Sequence, residues 1–115
     1  MITPYTSIEV LQMETIKFAY PANEPATERV LVGVVGSGDL EVLIEPGRAG
    51  QTQIVVNTSV DGSGTLWRSL FDRIFEAMPE TYAMQVEIND FGATPGVVRM
   101  RFEQGLELVK QAAQK

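Results

Sequence analysis

"IVVNTSVDGSGTLWRSLFDRIFEAM", residues 54–78, changes its period halfway. Up to Val60 it alternates. Ile54, Val56, Thr58 and Val60 fall on one side, and Val55, Asn57 and Ser59 on the other, the two-residue period of a half-buried strand. Beyond Gly62-Ser63-Gly64 the steps become three and four. Leu66, Trp67, Leu70, Phe71, Ile74, Phe75 and Met78 then form one wide apolar stripe of a helix that Pro79 ends.

Working outward, Ile16, Phe18 and Tyr20 alternate with polar or small neighbours. "YPANEPATE" is a connector with two prolines. Val30 to Val35 is a β-branched apolar run. Leu40, Val42 and Ile44 alternate with Glu41, Leu43 and Glu45 before "PGRAGQ" breaks the chain. Downstream, Tyr82, Met84, Val86 and Ile88 return to period two. Thr94-Pro95 has the form of an N-cap followed by proline at the first helical position. Val98, Phe102, Leu106 and Val109 continue that helix. Gly105 on the same stripe marks a close backbone approach to the sheet, at a propensity cost of about 1 kcal/mol.

The order is four strands, a helix, a strand and a helix. Most strands have one apolar face, and two helices are available to cover it. This predicts an α+β two-layer sandwich: a mostly antiparallel sheet of four to five strands, with both helices packed on one face. Residues 1–12 read as an N-terminal extension and residues 13–115 as a single domain.

Composition narrows the function. The 115 residues are 44% hydrophobic and 21% charged, ordinary for a soluble domain. A net charge of −6 disfavours nucleic acid and anionic membrane surfaces as partners. No apolar run is long enough to span a bilayer, and no secretory signal pattern opens the chain, so a cytoplasmic location is expected. The absence of cysteine excludes disulfides, thiolate metal sites and a cysteine nucleophile. The absence of histidine removes the commonest general base and zinc ligand. No catalytic or metal-binding residue is expected.

Between Leu31–Val35 and Leu40–Ile44 lies Gly36-Ser37-Gly38-Asp39, which reads as a hairpin with Ser37 at its tip. Glycine and serine are good turn residues in their own right. A hydrolase would need a base beside the serine and a group to orient it, and no histidine exists to serve. The nucleophile elbow G-x-S-x-G is also missing, because Val35 stands where its first glycine belongs. What survives is a serine on which other enzymes act, its glycine neighbours presenting no side chain to obstruct approach. A second Gly-Ser-Gly, residues 62–64, lacks the lysine of a P-loop. It reads as a loop in which Ser63 or Thr65 caps the helix. "NDFGATPGVVRMR", residues 89–101, reads first as a strand end, a turn at Gly92 and a capped helix. Alternatively Asp90 and Thr94 lie beside the serine hairpin, with Arg99 and Arg101 available to phosphates.

"VGSGDLEVLIEPG", residues 35–47, together with "DFGATPGVVRMRFEQGLE", residues 90–107, resembles the acyl carrier (delta) subunits of malonate decarboxylase. The resemblance runs from about Met13 to Leu108 and takes in "VNTSVDGSGTLWRSLFDRIF". More distantly, the chain is similar to the acyl carrier (gamma) subunit of citrate lyase. The resemblance implies that Ser37 carries phosphoribosyl-dephospho-coenzyme A through a phosphodiester, with Gly36, Gly38 and Asp39 as its attachment loop. It also implies a non-catalytic subunit that carries malonyl and acetyl thioesters between partners. Those partners are the acetyl/malonyl transferase subunit, the decarboxylase subunits, malonyl transacylase and the prosthetic-group transferase. The composition is consistent with this, since a chain without cysteine must take its thiol from a cofactor. The rival expectations are the equivalent carrier of citrate lyase and a small interaction module with no covalent group.

Overall fold

The structure, a computed structural model, describes residues 14–33, 40–59, 62–78 and 81–114. The elements are β1 (Glu14–Pro21), β2 (Val30–Val32), β3 (Leu40–Pro46), β4 (Gln51–Thr58), α1 (Gly64–Glu76), β5 (Met84–Asp90) and α2 (Pro95–Ala113). This is the order expected from the sequence. The extension at residues 1–12 lies outside the described residues, as do Val34, Val35, Val60 and Pro79.

The five strands form one sheet in the order β1-β4-β5-β3-β2. β1 with β4, β3 with β5 and β2 with β3 are antiparallel, while β4 and β5 are parallel. The parallel pair follows from the period change in residues 54–78. A helix between two adjacent strands carries the chain back to the end where the first strand began. The sheet is therefore mixed, mostly antiparallel, and the architecture is the expected α+β sandwich.

Register builds the core. One row across the sheet reads Val32, Val42, Ile88, Val56, Ile16, and the next Val30, Ile44, Val86, Ile54, Phe18. The three central strands contribute wholly buried side chains to both rows. Both helices cover this face, α1 through Trp67, Phe71 and Ile74, and α2 through Val98, Phe102 and Val109. Phe71 is the hub. Its ring centroid lies 5.2 Å from Phe18, 5.7 Å from Trp67 and 5.3 Å from Phe102, joining β1 to both helices. Gly105 packs against the sheet as expected: a Cβ there would meet Ile44 Cδ1 at 2.9 Å and Val32 Cγ2 at 3.5 Å. Leu66 departs from expectation. It sits at the edge of the helical stripe, turned away from the sheet, and is exposed.

Tyr20 fastens the edge strand. Its hydroxyl donates to Asp72 Oδ1 at 2.8 Å, and its ring stacks on Phe75 with centroids 4.4 Å apart. Burial, and then the Asp72 carboxylate it donates to, raise its pKa well above the usual tyrosine range. The folded state thus favours the neutral phenol. That contribution is complete at neutral pH and declines as pH climbs past the ordinary tyrosine value of about 10.

Two outcomes are expected in urea titrations. Phe71→Ala removes the hub and costs about 3–5 kcal/mol, a large part of the stability of a domain this size. Tyr20→Phe costs about 1 kcal/mol at neutral pH. Between about pH 9 and pH 11 it loses less stability than the parent, because the linked proton is gone.

Candidate functional site

Gly36, Ser37, Gly38 and Asp39 lie outside the described residues. The strands that carry them do not, and they define where the connection leaves and returns. Val30, Leu31 and Val32 pair antiparallel with Ile44, Leu43 and Val42, so the hairpin expected from the sequence is present in its strands. β2 ends at Val32, and Gly33 follows with φ +80°. A Cβ on Gly33 would stand 2.3 Å from the carbonyl oxygen of Leu40, a contact no side chain tolerates. Both backbone angle and space therefore require glycine there. Its role is to press the two ends of the connection together. Ser37 is three residues from Leu40, so the covalent chain holds its Cα within about 11 Å of that of Leu40.

Leu40 pairs with Asp90, and Asp90 pairs with Thr58. The hairpin base therefore adjoins the carboxyl ends of both parallel strands, and α1 and α2 both begin at that end. In sheets with parallel strands this is the end where connecting loops gather and ligands bind.

Asp90 organises the junction. It is buried, Oδ2 accepting from the Thr58 hydroxyl at 2.8 Å and Oδ1 from the backbone N–H groups of Gly92 at 3.1 Å and Ala93 at 2.9 Å. Gly92, at φ +109°, turns the chain, and Thr94 caps α2 by accepting from the N–H of Val97, with Pro95 at the first helical position. Both readings of residues 89–101 thus apply to Asp90. It lies beside the hairpin base, and its carboxylate is engaged in building the turn. At the start of α1, where the sequence offers Ser63 or Thr65 as the cap, Ser63 occupies the N-cap position without a side-chain cap bond.

The two arginines separate. Arg99 is exposed and ion-paired with Glu103 along the helix, on the side facing the valley between α1 and α2. Arg101 is half-buried on the other side, its Cδ 3.4 Å from where a Cβ on Gly33 would stand. Arg101 is therefore the one placed at the hairpin base.

Sequence patterns did not reveal a polar ladder on the uncovered face. Thr15 Oγ1 donates to Asn57 Oδ1, Asn57 Nδ2 to Asn89 Oδ1, and Asn89 Nδ2 to Glu41 Oε1, each at 3.0 Å. It crosses four strands directly behind the hairpin base. Its members sit at ordinary outward positions, and only the register brings them into one row.

Asp90→Ala orphans three donors and is expected to cost about 3 kcal/mol in urea unfolding. Asp90→Asn keeps an acceptor for the turn and is expected to cost about 1 kcal/mol.

Three comparisons bear on this arrangement. The family model described as malonate decarboxylase delta subunit (MdcD) matches residues 27–109. A malonate decarboxylase acyl carrier protein of Azotobacter vinelandii is 61% identical over 97 residues, covering 84% of this chain and 97% of the relative. One of Pseudomonas putida is 61% identical over 97 residues, covering 83% of this chain and 95% of its own length. A chain in the crystal structure of a Pseudomonas malonate decarboxylase hetero-tetramer in complex with malonate superposes with a TM-score of 0.78 at 54% identity. That match covers 84% of this chain and 98% of the other.

Proposed function

The chain belongs to the malonate decarboxylase delta-subunit family, and we propose that it serves as the acyl carrier of such a complex, with phosphoribosyl-dephospho-coenzyme A joined to Ser37 through a phosphodiester. The observation that carries this reading is the closed hairpin base. Gly33 packed against Leu40 closes the base of the β2–β3 hairpin at the end of the sheet where both helices start, and this supports the reading.

The neighbourhood fits a phosphodiester. Backbone N–H groups at helix starts and the Arg101 guanidinium favour negative charge nearby. The oxygens of the buried Asp90 carboxylate are engaged by three donors of the protein itself. By residue type, Gly36 and Gly38 bring no side chain to obstruct an enzyme acting on Ser37, and the family resemblance adds Asp39 to the attachment loop. When bound, the group supplies a terminal thiol, on which an acyl chain rides as a thioester whose carbonyl accepts the charge left as carbon dioxide departs. This chain's own task is to carry the root of that arm on the connection between β2 and β3. Acyl exchange and decarboxylation fall to the partner subunits, which provide the donors that stabilise developing charge.

Intact mass after co-expression with the prosthetic-group transferase system tests this. The parent is expected to gain the mass of the group and Ser37→Ala to remain unmodified. A Ser37→Ala protein that gains the same mass, or a parent that stays unmodified while the Azotobacter vinelandii relative is modified in parallel, sinks the assignment. Added to partner subunits, the loaded chain is expected to support turnover of malonate and not of citrate.

A further inference from the structure

Large apolar side chains stand in water around the end of the sheet that carries the 34–39 connection. Leu66, in the first turn of α1, is 67% exposed. Phe91, in the turn after β5, is 58% exposed, and Met100, in the second turn of α2, is 60% exposed. Only Leu31 on β2 and Leu108 far along α2 join them among the described residues. Single exposed apolar residues are common, but three gathered at one functional end are characteristic of a contact surface. Folding does not require them to be apolar, since none of the three belongs to the core.

The fold also holds Phe91 in place. Asp90 precedes it and ties down the N–H groups of Gly92 and Ala93 just beyond it. An aromatic side chain on a pre-organised turn loses little freedom on docking and makes an effective anchor.

The position of the hairpin identifies the occupant. A subunit that receives an arm rooted at Ser37 must bring the mouth of its active site to this end, and so must cover the surface around it. We infer that Leu66, Phe91 and Met100 form the surface through which this chain docks on a catalytic subunit of the decarboxylase while the arm is inserted. This rests on the carrier role proposed above. A contact of a few anchors suits a carrier that must bind and leave repeatedly. The N-terminal residues of this chain are a competing occupant, because β1 begins at Glu14 opposite Thr58, at the same end.

Binding of the unmodified Ser37→Ala chain to the complex's catalytic subunits, purified without their carrier, provides the test by titration calorimetry. Phe91→Ser is expected to weaken binding about tenfold or more, and Leu66→Ser or Met100→Ser about three- to tenfold. Leu31→Ser, on β2 and similarly exposed but turned to the face of the sheet opposite the helices, is expected to change it less than about twofold. All four should keep the parent's urea midpoint. The inference is overturned if the parent shows no binding, if Phe91→Ser and Leu66→Ser bind as the parent does, or if Leu31→Ser weakens binding equally. It is also overturned if deleting residues 1–12 abolishes the effect of Phe91→Ser, which would identify the extension as the occupant. Because the chain used carries no prosthetic group, failure of attachment appears only in the mass experiment and leaves this measurement unaffected.

Discussion

The parallel pairing of β4 with β5 governs the rest of the molecule. Each of these strands runs into a helix, and both helices must return over the same apolar face because the sheet has only one. Two adjacent strands pointing the same way therefore place two helix starts at the same end. The β2–β3 hairpin arrives at that end by its antiparallel pairing with β5. The strand ends, the helix starts and the base of the hairpin are thus assembled by strand direction alone.

That assembly needs a rigid seam, and buried polar groups supply it. Asp90 would be expensive to bury alone, but a hydroxyl and two backbone N–H groups satisfy it. It links the last residue of β4 to the last of β5 and fixes the turn into α2. Phe71 does the corresponding work in the apolar interior, where its ring meets β1, its own helix and α2. In a small domain such well-satisfied contacts fix the position of the strand ends and helix starts at this end of the sheet.

Most of the architecture was legible because each strand buries one face and each helix one stripe. Ile54, Val56 and Thr58, then Trp67, Phe71 and Ile74, announce their elements by period alone. The Thr94-Pro95 cap was equally plain, since it is a local signal. Pairing was not legible. Nothing in Asn57, Asn89 and Glu41 says they share a row, and nothing in Gly33 says that the carbonyl of Leu40 will occupy the place of its side chain. Leu66 misled because it lies on the border of the helical stripe, where a single step turns a side chain out to water. Ser37 was proposed from its glycine setting and a family resemblance and lies outside the described residues, and Arg101 became distinguishable from Arg99 only once α2 lay beside β2.

The row of hydrogen bonds on the uncovered face has a direction. Every donor in it points from β1 toward β3, and it ends on a side-chain oxygen of Glu41, which accepts from Asn89. One acid therefore sets the orientation of two amides and, through them, of a hydroxyl three strands away. The row is anchored by a single acceptor placed next to the root of the hairpin, and the dipoles that lead to it from the sheet's outer edge reinforce one another like magnets laid head to tail.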